Sequence, residues 1–539
     1  MTNLHPVLRP ILLALVVLVE LGCSRKQIVG CIKKPVDLEP VRPVENVPFS
    51  NKTTCKHEGN GADYAVGPGH KYATPGDVPF ESLKAGDTVR IHYRPEPYKE
   101  KLMISGQGTE AQPIRVCGVP GPGGQAPVID GEDASTRASL VFPFDGHQAR
   151  GVVVVGWQGN KDWKAQPTHI VLEGLDIRGG KKGSRFKDKA GKDVDYPPNA
   201  AGVFLQRGTN VTLRNNVIHD NGNGLFLGTA GGDELTKHVL VEGNHIHENG
   251  YPDSDKEHNV YTEAVDVTYQ YNRFGSPKRD DANVGGINIK DRSAGVTIRY
   301  NWIEDGVYLI DLCDVQETVS QNKDKPIEDE ALLARYRETR IYGNVLIRGQ
   351  RPGAAMVRYG GDSDMFERYR KGTLHFYNNT VLIENGPHPE WQGTSVFLLL
   401  TNDETLQTYN NVYYAEAASL PTRPVALLGS RDEFLRGQAN FSGDWMKEDL
   451  VLFDSRRGRE PKIEAKAHGF DELTRGKDPG FVDAKKRDLH LSAGAAAGTS
   501  GVKLPYDAKD LPAQQFEPSG EVKKREDGDK PTPGAYAVP

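Results

Sequence analysis

Four side chains able to move protons or hold an anion stand at one equivalent place in successive repeats of this sequence: Tyr261, Lys290, Asp311 and Arg358. Each directly follows an aliphatic residue, Val260, Ile289, Ile310 or Val357. Side chains alternate between the two faces of a strand. If the aliphatic residues point into a core, the four polar ones share the outer face. Strands of adjacent turns lie ~4.8 Å apart, so a phenol, an ammonium, a carboxylate and a guanidinium would form one ladder. Two residues further on come Glu263, Arg292, Cys313 and Gly360; His258 enters beside Tyr261, and Asp314 leaves beside Asp311. The plainer alternative is a solvated salt bridge, Lys290 with Asp311 or Arg292 with Glu263, worth ~0–1 kcal/mol.

The elements that must position these residues announce themselves as a repeat. Short β-branched runs end on an Asn, and alignment puts Asn216, Asn244, Asn272, Asn301, Asn344, Asn379 and Asn411 in one column. A near-constant turn with loops of variable length is what a solenoid of stacked strands requires, and a column of Asn gives side-chain amides that bond along its axis. Each turn carries a further short strand, as in HNVYTEA, GGINIKD, VYLIDLCD and AAMVRYG. The pattern predicts an all-β chain folded as a right-handed single-stranded parallel β-helix over 61–503. The tail 504–539 is polar and Pro-rich and reads as having no core of its own and as draping over the last turn or staying mobile. His219 and His247 take equal places in adjacent turns and read as a stacked pair.

Composition agrees and excludes other classes. The 539 residues include 59 Gly and 35 Pro, 26% charged and 37% apolar residues, with a net charge of −6. The glycine has no three-residue period, the apolar content is too low for a membrane bundle, and the charge gives no argument for nucleic acid. Ile11 to Val19 is an apolar run far shorter than the ~20 residues that span a bilayer, and it suits a signal peptide over 1–23. Leu21-Gly22-Cys23 resembles a lipobox, which implies lipidation of Cys23, export, and an outer-membrane or cell-surface place. Residues 24–60 read as a tether. In that oxidising setting Cys31 and Cys55 are candidates to pair, with connectivity open and Cys117 also available. The insertion 179–195 carries Lys181, Lys182, Arg185, Lys187, Lys189 and Lys192, either a solvated loop or a positive wall that attracts an acidic polymer.

The stretch EHNVYTEA…GGINIKDRSAG…IRYNWIEDG…LIDLCD (257–314) resembles bacterial β-helix proteins of the polysaccharide-degrading group, with HN-x-Y and N-x-KDRSAG motifs. Ile289-Lys290, Ser293 and the IRYN turn are distantly similar to alginate lyases of the chondroitinase-B type. That resemblance implies a Lys base, an assisting Arg on the next turn and often calcium. Lys290 matches; the next turn reads IDLCD, with Asp311 where the Arg would stand, so Arg292 or Arg358 must take that part. The expected activity is β-elimination on a uronate-containing polysaccharide by a monomer. Lys290, Arg292, Tyr261, His258 and Asp311 are the candidate catalytic groups, and Arg358, Glu263, Asn288 and Tyr308 the substrate contacts. Calcium is a candidate cofactor, with Asp280, Asp281 and Asp314 as ligands. Two other classes stay open. A glycoside hydrolase would use two carboxylates, such as Asp311 and Glu263. A polysaccharide-binding adhesin would use Tyr261, Tyr308 and Tyr359 as platforms.

Overall fold

Each repeat supplies three short strands because its apolar residues alternate and its turns hold residues that accept a left-handed backbone. The computed structural model describes residues 54–538 apart from 144, 230–234, 280–284, 317–326, 350–352, 385–394, 417–424, 454–461, 506–507, 509 and 528–529. Cys23, Cys31, the segment 1–23, most of 24–60, and Asp280 and Asp281 lie outside the described residues. Successive turns build three long parallel sheets of 13, 12 and 11 strands, a right-handed parallel β-helix. One turn runs Val260–Thr262 in the 12-stranded sheet, Val265–Gln270 in the 13-stranded sheet and Arg273–Phe274 in the 11-stranded sheet, before Ile289–Asp291 returns to the first. Val, Ile and Leu from all three sheets fill one continuous interior.

The Asn column lies at the corner between the 13- and 11-stranded sheets. Each side-chain amide donates to the carbonyl oxygen of the next turn's Asn, as from Asn272 to Asn301 and from Asn301 to Asn344, both at 3.0 Å. The residue before each is left-handed, from Gly243 and Gly343 to Tyr271 and Tyr300. The ladder runs one turn further than the aligned column and ends on an Asp: Asn411 donates its amide to Asp444 at 2.8 Å. A second ladder, Asn221, Asn249, Asn259 and Asn288, turns the corner into the 12-stranded sheet.

Two readings of the ends change. The described disulfide joins Cys55 to Cys117, so Cys55 is not left to Cys31, and the last residues of the expected tether are fastened to the first turns. The C-terminal segment does have core residues. Leu504, Ala508, Phe516 and Tyr536 are buried against Tyr271, Tyr300, Tyr342 and Tyr377, and the Tyr377 hydroxyl donates to the Ala508 carbonyl at 3.2 Å. The chain reverses after the last turn and runs back over the flank of the helix, where aromatic residues compensate for the tail's polar composition.

Candidate functional site

The register sets Val260, Ile289, Ile310 and Val357 side by side, and Tyr261, Lys290, Asp311 and Arg358 beside one another in the next column. The four aliphatic residues are fully buried, so the polar four occupy the outer face of the 12-stranded sheet. KDRSAG divides across that sheet. Lys290 and Arg292 go out, while Asp291 goes in, accepting from the Tyr269 hydroxyl at 2.9 Å and the Ser293 amide at 2.7 Å. The outer column extends through Phe226 to Phe204. Phe226 and Tyr261 stack at 4.9 Å and 7°, one turn apart, so they face each other along the axis and present edges to the groove. A cavity of about 350 Å³, lined by Phe204, Phe226, Tyr261 and Glu263, lies over this half. A second, of about 550 Å³, is lined by Lys290, Tyr308, Arg358, Asp362 and Arg431.

The charges pair differently from the expected bridges. Arg358 makes a bidentate pair with Asp311, and its guanidinium lies 4.4 Å from the centre of the Tyr308 ring. Lys290 Nζ donates to Asp362 Oδ2 at 2.6 Å rather than to Asp311. Arg292 is 2% exposed; it donates to the same carboxylate at 2.9 and 2.7 Å and to the Tyr261 hydroxyl at 3.0 Å. Asp314 holds the loop that carries Asp362, accepting from the Asp362 amide at 2.7 Å and the Ser363 hydroxyl at 2.6 Å. Gly361 lies beneath this loop, where a Cβ would meet the Tyr369 ring at 2.4 Å.

Asp362 is the residue that sequence reasoning missed. It sits on a turn rather than a strand, and the signal was Gly360-Gly361-Asp362 directly after the strand Val357–Tyr359 that carries the outward Arg358. Among the expected contacts, Asn288 does not reach the groove. It is fully buried in the corner ladder, with its amide donating to the carbonyls of Glu304 and Asp305 at 2.6 and 2.8 Å. Tyr359 is likewise inside the coil and is no platform. Glu263 is buried and accepts from the Gln316 amide at 3.1 Å.

Burial and partners set the protonation states. Burial disfavours the Lys290 ammonium and Arg292 opposes it too, but Cys313, Asp311 and Asp362 outweigh them and raise its pKa above the ordinary value. Burial alone would raise Asp362, yet Arg292 and Lys290 hold it far below the usual carboxylate range. Asp311 is lowered against its burial by Arg358 and Lys290. Burial, with Lys290 and Arg292, drives His258 well below its ordinary pKa. The imidazole is therefore neutral. Its Nδ1 accepts from the Ile287 amide at 3.3 Å, which leaves Nε2 as the N–H. Burial raises Tyr261 against the pull of Arg292, so its phenol keeps its proton.

These states bear on calcium. Asp311, Cys313 and Asp362 place ligand atoms within 4.8 Å of one another, but the two carboxylates are paired with Arg358, Lys290 and Arg292, and Asp314 is spent on its loop. Ca²⁺ takes ~6–8 oxygens, and cations occupy the place it would need. Among the described residues, this cluster does not fit calcium.

Fold and groove together define the class: a β-helix with a charged groove along one sheet. The family described as "Right handed beta helix region" matches residues 182–346. No curated protein matches. Among solved structures, the chain is similar to an alginate lyase from Paenibacillus sp. str. FPU-7 (14% identity, 63% of this chain and 92% of that one, TM-score 0.35). It is similar to the pectate lyase Pel9A (12%, 88% and 96%, 0.41) and to a lacto-N-biosidase from Eubacterium ramulus (13%, 75% and 68%, 0.39). At these values the likeness carries no argument about chemistry.

Proposed function

We propose that this protein binds an acidic, uronate-containing polysaccharide along the 12-stranded sheet and cleaves it by β-elimination. The observation that carries the reading is the outer column Tyr261–Lys290–Asp311–Arg358, with Arg292 beside it, opening into a cavity rather than onto a flat solvated face. Elimination needs the uronate carboxylate neutralised, so that the proton on the adjacent carbon becomes acidic. Arg358, on a strand, and Arg292, buried just after one, supply that charge. Lys290, as the amine, takes the proton. The C–H electrons become the carbon–carbon double bond, the bond to the 4-linked oxygen breaks, and that oxygen takes a proton from Tyr261, with His258 Nε2–H as the neighbouring donor. Lys290 is an ammonium in the free protein, so it can serve as base only after its pair with Asp362 is broken. Hydrolysis by the pair Asp311 and Glu263 receives less support, because one of the two must act as a protonated acid, and Asp311 is held ionised by Arg358 while Glu263 is buried and accepts from the Gln316 amide.

The test is incubation with a panel of acidic polysaccharides, following the ultraviolet absorbance of an unsaturated uronate. Reducing ends without that absorbance would point to a hydrolase, and binding without products to an adhesin. Lys290→Ala should abolish turnover and leave folding and binding nearly intact; full activity in a folded variant sinks the assignment. We also propose export with a lipid on Cys23. The Cys55–Cys117 disulfide supports an oxidising compartment, and failure of Cys23→Ser to release the protein from membranes would refute the anchor.

A further inference from the structure

We propose that Asp362 is an internal stand-in for a substrate carboxylate, and that its displacement from Lys290 and Arg292 selects acidic sugars over neutral ones. This rests on the reading above and deepens it. The Asp362 carboxylate receives Lys290 at 2.6 Å and Arg292 at 2.7 and 2.9 Å, with an Arg358 Nη at 4.0 Å. That is the arrangement an incoming carboxylate would want. The cations are fixed, since Lys290 and Arg358 sit on strands and the Arg292 side chain is almost wholly buried. The Asp362 side chain is 18% exposed, lines the larger cavity and hangs from a turn. The turn is fastened through Asp314, by the Asp362 and Ser363 amides and the Ser363 hydroxyl, while the Asp362 carboxylate is held by the cations. Rotation about its side-chain bonds therefore frees the cations without moving a strand.

Selectivity follows from the exchange. When a uronate arrives, one carboxylate leaves and another takes its place, so the buried cations stay neutralised throughout. A neutral sugar offers no replacement charge. It would have to separate Asp362 from two partners in a largely desolvated pocket, and a charge left there without its counter-ion is strongly disfavoured. The device works against the wrong ligand rather than for the right one.

The experiment compares wild type with Asp362→Asn, and with the milder Ser363→Ala, which loosens the turn by removing its hydroxyl bond to Asp314. Probes are an alginate oligomer, an oligogalacturonate and a neutral cello-oligosaccharide by titration calorimetry, and sodium sulfate by thermal shift. Asp362→Asn should bind an acidic oligomer at least fivefold more tightly than wild type and gain a sulfate-dependent rise in Tm, and it should also bind the neutral oligomer more tightly, because no ion pair then has to be parted. Ser363→Ala should tighten acidic binding about twofold. Acidic binding that is unchanged or weaker, with no sulfate response, overturns the proposal; if Asp362→Asn fails to fold, an unchanged Ser363→Ala overturns it. Failure of the elimination reading shows separately, as acidic binding that yields no unsaturated product.

Discussion

Asp444 ends the Asn ladder, and the exchange Asp444→Asn should stabilise the protein above neutral pH while doing less in acid. The Asp444 carboxylate is fully buried and accepts from the Asn411 amide nitrogen at 2.7 Å, the Asn411 side chain at 2.8 Å and the Thr408 hydroxyl at 2.6 Å. Elsewhere in the ladder the second polar atom is a donor to a carbonyl of the preceding turn, as from Asn411 to Phe376 at 2.9 Å. Thr408 is the register partner of Phe376, so at position 444 that carbonyl is Thr408's, and an ionised oxygen would repel it. Burial, opposed by the bonds from Thr408 and Asn411, pushes Asp444 from its ordinary 3.8 up to about 7. A raised acid keeps its proton in the fold, so this contribution is fully present below the ordinary carboxylate range and is lost as pH climbs through 7. Three units at ~1.4 kcal/mol each come to ~4 kcal/mol. Roughly 3 kcal/mol of that should appear between pH ~5 and ~8. At ~2.1 cal/mol/K of unfolding entropy per residue, the whole effect moves Tm by ~4 °C. Circular dichroism melts of both proteins at several pH values read the widening gap. A constant difference across pH would refute the reasoning, because the substitution would then be acting through shape alone.

Three further outcomes follow from the same structure. Asp311, Asp362 and Cys313 hold the Lys290 proton against burial and Arg292, while neutral His258 and protonated Tyr261 add no charge; kcat/KM on an acidic polymer should therefore keep climbing into alkaline pH in wild type and show its acid limb at lower pH in Asp362→Asn. A profile flat from pH ~6 to ~9 would remove Lys290 as base. The insertion 179–195 is a hairpin whose charges are paired across it, Arg185 with Asp195 and Lys187 with Asp193, and whose Phe186 covers the buried Lys101. Replacing Lys182, Lys189 and Lys192 by Ser should leave the salt dependence of polymer binding unchanged, and a shallower dependence would restore the positive wall. Cys117→Ser opens a crosslink spanning 62 residues, which chain entropy values at ~4 kcal/mol; denaturant midpoints that match those of wild type would show the first turns are held by packing instead.

What could be read from the sequence follows from what a solenoid repeats. Strand alternation has a fixed period of two and the turns stack in register, so identifying Val260, Ile289, Ile310 and Val357 as inward was enough to place Tyr261, Lys290, Asp311 and Arg358 in one column. The corner Asn residues were legible for the same reason, since the turn demands that residue type each time. His219 and His247 do stack, at 5.1 Å and 2°. Register says nothing about segments between strands, and the remaining structure of the site lies there. Asp362 reaches Lys290 and Arg292 across 72 and 70 residues from a turn of no fixed length, so no spacing rule could have paired them. The same gap misdirected Lys290 toward Asp311, its neighbour by register. Asn288 failed in the opposite way: a residue beside a motif was read as part of the groove, although the corner's amide ladder had a prior use for it. The C-terminal tail shows the limit of composition, for its few apolar residues find partners only because Tyr271, Tyr300, Tyr342 and Tyr377 leave an aromatic flank of the helix to be covered. In a repeat fold the sheet face can be read from the chain, whereas the charge that governs it arrives from outside the repeat.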